Sequence, residues 1–322
     1  MSNVLLSVHQ LASYFFLAEG VLKPVDGVSF DINENETVAL VGESGCGKTI
    51  VALSLINLIP VPGRIVGGSV LLSGEDIVTA SKERLRELRA REFGFVFQEP
   101  GAALNPVYTV GYQLREVLTL HRRFTRKEAE REAVRLLGEC GIGDPERCAR
   151  SYPFQLSGGM RQRAAIAIAV STRPKLLIAD EPTTALDVTV QAEILDLLRE
   201  LQEKHRMAIL IISHDLAVVA QIAQRVCVMY AGRLVEVAPV EGLFAVPKHP
   251  YTQALLASVR RSRDRTIPLH GIPGSVPDLF RLPSGCAFHP RCAVGDPSCT
   301  SEIPPLVALS SDRACACGKV TP

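Results

Sequence analysis

The chain has 322 residues, 47% of them hydrophobic, and a formal net charge of +1. That length accommodates one large domain with an appendage or two domains, and the apolar content is ample for a core. Near-neutral charge gives no global basic field for nucleic acid, no apolar run reaches the roughly 18–20 residues that span a bilayer, and the N-terminus lacks the charged and apolar regions of an export signal.

Residues 1–35 read as short strands with turns, such as Lys23-Pro24-Val25-Asp26-Gly27, and predict an antiparallel sheet. An apolar β-type run follows, Val38-Ala39-Leu40-Val41, and then Gly42-Glu43-Ser44-Gly45-Cys46-Gly47-Lys48-Thr49. A helical stretch, Val51-Ala52-Leu53-Ser54-Leu55-Ile56, comes next. Strand, loop and helix in this order are what a G-x-x-x-x-G-K-[ST] phosphate loop requires. The glycines let backbone N–H groups curl around an anion, and the helix start adds a positive dipole end. Lys48 supplies a point charge for the β- and γ-phosphates, and the Thr49 hydroxyl is placed for Mg²⁺.

Residues about 81–165 are charged and helical in pattern, as in Ser81-Lys82-Glu83-Arg84-Leu85-Arg86-Glu87-Leu88. Within Leu156-Ser157-Gly158-Gly159-Met160-Arg161-Gln162-Arg163, Ser157 is an N-cap candidate, and Gly158 and Gly159 expose backbone N–H groups. This second anion site does not easily serve the nucleotide of the first loop, so it is expected to face a γ-phosphate held by another subunit. Leu176-Leu177-Ile178-Ala179-Asp180-Glu181 reads as a buried parallel strand ending in two carboxylates. Asp180 is expected to hold Mg²⁺ through water, and Glu181 to polarise an attacking water as general base. Residues 170–240 alternate strand and helix, consistent with parallel α/β structure. Ile194, Leu195, Leu197, Leu198 and Leu201 mark the packing face of one helix.

After about residue 240 the chain is rich in proline and glycine, and regular core helices are not expected. The basic run Arg260-Arg261-Ser262-Arg263 reads as a solvated linker. Cys286, Cys292, Cys299, Cys315 and Cys317 crowd the end, and in a reducing compartment such a crowd suggests metal rather than disulfides. The spacing Cys286-x5-Cys292-x6-Cys299-x15-Cys315 supplies four soft ligands for a [4Fe–4S] cluster or tetrahedral Zn²⁺. The lack of a C-x-x-C pair weakens a zinc ribbon. Unliganded thiols, in a tail that merely packs on the cassette, are the remaining reading. His249, His270 and His289 are possible extra ligands, but His249 and His289 read better as loop histidines with local hydrogen bonds.

Taken together, Gly42–Thr49, Gln98, the Leu156–Gln162 segment, Asp180-Glu181, Ala185-Leu186-Asp187 and His214 resemble an ATP-binding cassette (ABC) ATPase over roughly residues 4–240. The resemblance implies an α/β P-loop NTPase fold: a mixed core sheet, an antiparallel β subdomain and a helical subdomain about 81–165 where a membrane partner docks. It also implies a head-to-tail dimer with two ATP molecules between phosphate loops and opposing signatures. Gln98 is similar to the glutamine that contacts Mg²⁺ and water and senses the membrane partner. His214 is similar to the switch histidine at the γ-phosphate, and Asp187 to the residue that communicates across the dimer. Phe15, among Tyr14-Phe15-Phe16, best fits the register of the adenine-stacking aromatic, and Ile50 joins the nucleotide contacts of the loop. No second cassette or internal repeat is found, which argues against tandem, non-transport members such as a cytosolic ATPase.

Pro247-Lys248-His249-Pro250-Tyr251-Thr252-Gln253-Ala254-Leu255-Leu256 and Gly285-Cys286-Ala287-Phe288-His289-Pro290-Arg291-Cys292 resemble the C-terminal extension of oligopeptide, dipeptide and nickel importer ATPases. Gln98-Glu99-Pro100 and Leu104-Asn105-Pro106 fit the same branch. The resemblance aligns Cys286, Cys292, Cys299 and the cysteine after Arg313-Ala314, Cys315, as cluster ligands, with Cys317 competing as the fourth. It divides the chain into a cassette, 1–240, and a loop-rich extension, 241–322. It implies ATP and Mg²⁺ as ligands and peptide uptake as the process served, with nickel or another small solute as the alternative cargo. The implied partners are a second, distinct ATPase in a heterodimer, two membrane permease subunits and an extracytoplasmic substrate-binding protein. No nucleic acid is implied. The expected location is peripheral, on the cytoplasmic face of the membrane.

Overall fold

Strands that are apolar along nearly their whole length are buried on both faces, and three of them line up in the computed structural model, which describes residues 3–184, 186–258 and 271–320. Phe93–Val96, Leu176–Asp180 and Ala208–Ser213 are parallel neighbours, in register at Phe93↔Leu176 and Leu176↔Ala208. They form the sheet of one compact unit, Met1–Leu5, Asn33–Glu36 and Ala80–Ile212. Its helices begin at side-chain caps: Ser81 before Lys82–Arg91, Thr109 before Val110–Arg122, Asp144 before Pro145–Arg150. Arg126–Glu139 opens on a full capping box between Thr125 and Glu128, which satisfies two orphan donors at once. Ile194, Leu195, Leu197, Leu198 and Leu201 are buried on the helix Val188–His205, the face expected from their spacing. The charged stretch after residue 81 is helical as expected, but the strand Phe93–Val96 interrupts it.

The second unit comprises Leu6–Ile32, Thr37–Thr79 and Ser213–Pro322. Its antiparallel sheet, expected from the first 35 residues, is built from long strands rather than short ones. Val4–Leu17 and Gly20–Asn33 are 14 residues each, joined by a tight turn at Ala18 and Glu19. The segment Lys23–Gly27, read from sequence as a turn, lies inside the second strand. This is an edge strand, where Pro24 loses no ladder bond, and Gly27 takes up a local distortion at φ 77°. The sheet continues through Gly63–Leu72 to Glu75–Asp76. Alternation sends Leu6 and Val8 inward, and an irregularity between His9 and Ala12 shifts the phase so that Leu11 and Ser13 are buried next.

The fully buried strand Thr37–Val41 pairs in parallel with Arg225–Tyr230, which turns back antiparallel into Arg233–Pro239. The C-terminal residues attach to that last strand through Ala314–Cys315, with Glu236 opposite Cys315. Glu236 is fully buried, and its carboxylate accepts from the Lys248 and His249 N–H groups at 2.9 and 2.8 Å and from Arg313 at 3.1 Å. A buried charge is tolerated when its lone pairs are filled in this way.

The expectation that no regular helix follows residue 240 is overturned. Val240–Ala245 and Pro250–Ser258 are helices, and Leu243, Tyr251, Thr252 and Leu256 are buried on them. Pro250 opens its helix, where a missing N–H costs nothing, so proline here starts the element instead of breaking it. Residues 271–320 hold only short 3₁₀ turns and two-residue strands, the loop-rich character expected. The basic run at 260–263, His270 and Ala185 lie outside the described residues. Among the described residues, no helix is long and apolar enough to cross a membrane.

Replacing Glu236 by Ala leaves two backbone N–H groups without their acceptor and Arg313 with only the Val246 carbonyl. The expected loss is about 3 kcal/mol, read by urea denaturation, with earlier trypsin cleavage within residues 271–320.

Candidate functional site

The phosphate loop leaves the strand Thr37–Val41 and enters the helix Lys48–Leu55. Gly42 and Gly47 sit at φ 156° and 109°. A Cβ on Gly47 would lie 1.9 Å from the Pro24 carbonyl oxygen, and one on Gly42 would lie 2.2 Å from that of Met229. Both positions therefore exclude every side chain. The Gly232 N–H donates to the Cys46 carbonyl at 3.0 Å, a further tie between the loop and the hairpin after Tyr230. Lys48 is 5% exposed, and its Nζ donates to the carbonyls of Gly42 and Glu43 at 2.8 and 3.1 Å. Ser44, Gly45 and Thr49 are exposed, while Glu43 and Ile50 are half-buried. Cys46 is fully buried, and burial pushes its thiol up against the opposing pull of Lys48, so it packs rather than reacts.

Ser13 on the first strand meets Ser54 of the phosphate-loop helix, hydroxyl to hydroxyl at 2.8 Å. Phe15, two residues on, shares that sheet face and packs where a Cβ on Gly63 would be 2.7 Å from its ring. Tyr14 donates to Asp26 at 2.6 Å, and the Arg64 guanidinium lies 4.4 Å from the centre of the Phe16 ring. Of the three aromatics, Phe15 is thus the one on the face of the phosphate-loop helix. His214 ends the strand Ala208–Ser213 and is exposed; the Asp215 side chain after it caps the next helix by accepting from Ala217 N–H at 2.7 Å.

The other unit carries the carboxylates. Asp180 closes the strand Leu176–Asp180 and is 3% exposed. Glu181 is held at φ 49°, a left-handed conformation that a non-glycine residue adopts only at a cost. Its N–H donates to Ile212 O at 2.9 Å. Its Oε2 accepts from Gln98 Nε2 at 3.1 Å and from Thr184 Oγ1 at 2.9 Å. Gln98 and Glu181, 83 residues apart, are therefore brought together. Thr184 was missed from sequence; the turn Pro182-Thr183-Thr184 after the carboxylates, with a hydroxyl three residues from Glu181, was the signal available.

Ser157 caps the helix Gly158–Val170, its hydroxyl accepting from Met160 N–H at 3.3 Å. Asp187 caps the helix Val188–His205 through Val190 N–H at 3.0 Å. These two helix starts adjoin, since a Cβ on Gly159 would be 2.9 Å from Val190 Cγ1.

In the extension, Cys286 N–H donates to Cys299 O at 2.9 Å, and Gly285, at φ 69°, leaves no room for a Cβ against that same carbonyl. Burial pushes the Cys286 thiol up, and Cys299 and Cys317 lie close enough to add to the effect. Cys315 is buried on its strand, its thiol pushed up to about 12 by burial and then by the Glu236 carboxylate. Among the described residues, no group of three or more His, Cys, Asp or Glu side chains is gathered tightly enough to hold a metal ion. The His249 Nδ1 accepts from Tyr251 N–H at 3.0 Å, and burial lowers this histidine to about 4. His289 Nδ1 bonds Cys286 O at 2.9 Å. Both histidines make the local hydrogen bonds expected of them.

The model of the ABC transporter family matches residues 25–184, and that of the oligopeptide/dipeptide transporter C-terminal region matches 235–299. A Brucella melitensis protein with a peptide-import ATP-binding name is 47% identical over 97% of this chain and 96% of its own length. The oligopeptide transport ATP-binding protein AppD of Bacillus subtilis is 46% identical over 98% of this chain and 96% of its own. Among solved structures, the ATP-binding cassette MJ0796, captured as a dimer with ADP and Pi, superposes with a TM-score of 0.66 at 26% identity, covering 73% of this chain and 98% of that one. Phosphate loop, signature helix and paired carboxylates thus recur in a cassette fold with a named C-terminal region, and the chain belongs to the ABC transporter ATPases that carry the oligopeptide/dipeptide transporter C-terminal region.

Proposed function

We propose that this chain is the ATP-hydrolysing subunit of a membrane importer of di- and oligopeptides, held peripherally at the cytoplasmic face by its permease partners. The observation that carries the reading is Glu181, strained in the left-handed region and aligned by Gln98 and Thr184 at the end of a buried strand. The peptide cargo is supported by the match to the transporter C-terminal region and by the names of the relatives. The cassette spans 1–240 with a helical subdomain about 81–165, and the extension spans 241–322; family matches at 25–184 and 235–299 support this division.

In this reading the loop Gly42–Thr49 with Ile50 binds ATP, Lys48 neutralises its β- and γ-phosphates, and Phe15 stacks on the adenine. Thr49, Gln98 and Asp180 offer the hard oxygen donors that suit Mg²⁺, and Asp180 is fixed by its burial. Mg²⁺ bound there offsets the negative charge of the phosphates. Glu181 takes a proton from the attacking water as the new O–Pγ bond forms. The bond from Pγ to the bridging oxygen breaks, and the β-phosphate leaves with ADP. His214 contacts the γ-phosphate. Ser157, Gly158 and Gly159 serve the ATP of a second, distinct ATPase subunit, with Asp187 communicating across the pair; the dimeric state of MJ0796 supports the sandwich. Two permease subunits and an extracytoplasmic binding protein complete the importer, and nucleic acid has no part in it.

The cysteines of the extension would hold a [4Fe–4S] cluster, with Zn²⁺ the alternative, although among the described residues their side chains are not gathered into a metal-binding group. Their thiolates are soft ligands of the right type, and the Gly285 turn brings the Cys286 and Cys299 backbones together. Cys286, Cys292, Cys299 and Cys315 are the ligand set the resemblance implies, with Cys317 the alternative fourth ligand.

Glu181→Gln is expected to keep ATP affinity and lower phosphate release by about 10²–10⁴-fold, measured by nucleotide titration and single-turnover kinetics; full turnover contradicts the assignment. In vesicles carrying the permease pair, hydrolysis is expected to rise with peptide-loaded binding protein and to ignore a nickel-loaded one. Anaerobically purified chain is expected to carry about four iron and four sulfide. Cys292→Ser is expected to lose them; zinc, or no metal, overturns the cluster.

A further inference from the structure

The second residue of the phosphate loop is not dictated by phosphate chemistry, yet here all its polar groups are committed. The Glu43 carboxylate takes two N–H groups from Arg291: Nη1 to Oε2 at 2.8 Å and Nη2 to Oε1 at 3.1 Å. The Glu43 N–H donates to the Tyr251 hydroxyl at 2.9 Å, and its carbonyl accepts from Lys48 Nζ at 3.1 Å. All of these residues belong to one compact unit.

Arg291 is equally committed. Its Nε donates to Pro273 O at 2.8 Å, Nη1 also to the Tyr230 hydroxyl at 3.2 Å, and Nη2 also to Ile272 O at 3.4 Å. These are five donations from a group with five N–H donors. The Arg291 side chain is 6% exposed and that of Glu43 26%, so the pair is partly shielded from solvent. A lysine has neither the fork nor the number of donors to replace it. An aromatic cluster sets the position: Phe288 meets Tyr230 and Tyr251 edge-on at 5.2 and 5.3 Å, and the turn His289–Arg291 follows directly from it.

We infer that the C-terminal extension is a clamp on the phosphate loop, with Arg291 its positioning residue. Arg291 fixes the Glu43 side chain, Tyr251 fixes the Glu43 N–H, and the Glu43 carbonyl in turn holds Lys48. The geometry of the nucleotide-binding loop therefore depends on residues some 250 positions downstream, and ATP affinity reports whether the extension is folded. The inference does not depend on what Cys292 binds.

The test uses the full chain and Mg-ATP. Arg291→Gln and Glu43→Gln are each expected to weaken ATP binding on the order of tenfold and to raise KM with kcat little changed. The double variant is expected to be no worse than either single one, because both remove the same contact. Arg291→Lys keeps only part of the affinity, and Arg281→Gln, at an exposed arginine of the same extension, keeps the full value. Hydrogen exchange without nucleotide separates the clamp from a general loss of folding: amides 42–47 exchange faster in both single variants while the strand Thr37–Val41 stays protected. Unchanged exchange and affinity in Glu43→Gln, or additive losses in the double variant, overturn the proposal.

Discussion

The structure rests on a close approach of backbone to backbone at the phosphate loop. At Gly47 the chain passes so near the Pro24 carbonyl, and at Gly42 so near the Met229 carbonyl, that neither position admits a Cβ. The loop is thereby pressed between the edge strand Gly20–Asn33 and the strand Arg225–Tyr230, and its N–H groups have no freedom to face elsewhere. Several unusual features of the second unit follow from that contact. Pro24 sits inside a strand because the strand is at an edge, and Gly27 distorts the ladder next to it. Asp26, between them, receives Arg233 at 2.6 Å and so ties the edge strand to the hairpin that also touches the loop.

The carboxylate end of the chemistry is organised on a different principle. There the backbone is strained rather than crowded. Glu181 leaves its strand in a left-handed turn worth about 1–3 kcal/mol of strain, and the Ile212 carbonyl, Gln98 and Thr184 hold it there. The Ile212 carbonyl fixes its backbone, and two donors, Gln98 and Thr184, fix its carboxylate. Helix N-termini complete that unit: Ser157 and Asp187 cap adjoining helices, so the signature segment and the segment after the carboxylates are locally coupled.

Most elements of the candidate site were legible in sequence because they are written in short local patterns. Loop glycines, a lysine at a helix start, a capping serine and carboxylates ending an apolar run each declare their backbone conformation within a few residues. The first sheet was legible in kind but not in length, since Pro24 and Gly27 signal a turn unless the strand is known to be an edge. The helix Pro250–Ser258 was hidden by its own proline, which marks a start as well as a break. Thr184 was hidden because a hydroxyl that orients a carboxylate has no motif spacing of its own. The pairing of Glu43 with Arg291 had no local signal at all. Nothing in a window of sequence couples a loop residue to an arginine 248 positions away, and only the packing of Tyr230, Tyr251 and Phe288 creates the pocket that joins them.

The central claim is that ATP binding depends on a loop whose shape is enforced by backbone contact. Titration of Mg-ATP into Gly47→Ala, with the fold checked by circular dichroism and the thermal midpoint, tests it most directly. The account predicts no measurable binding in a chain that stays folded. It also predicts a smaller loss for Gly45→Ala, whose added Cβ meets nothing within 4 Å and costs only the strain of φ 79°. ATP binding by Gly47→Ala at the affinity of the unsubstituted chain would contradict the account.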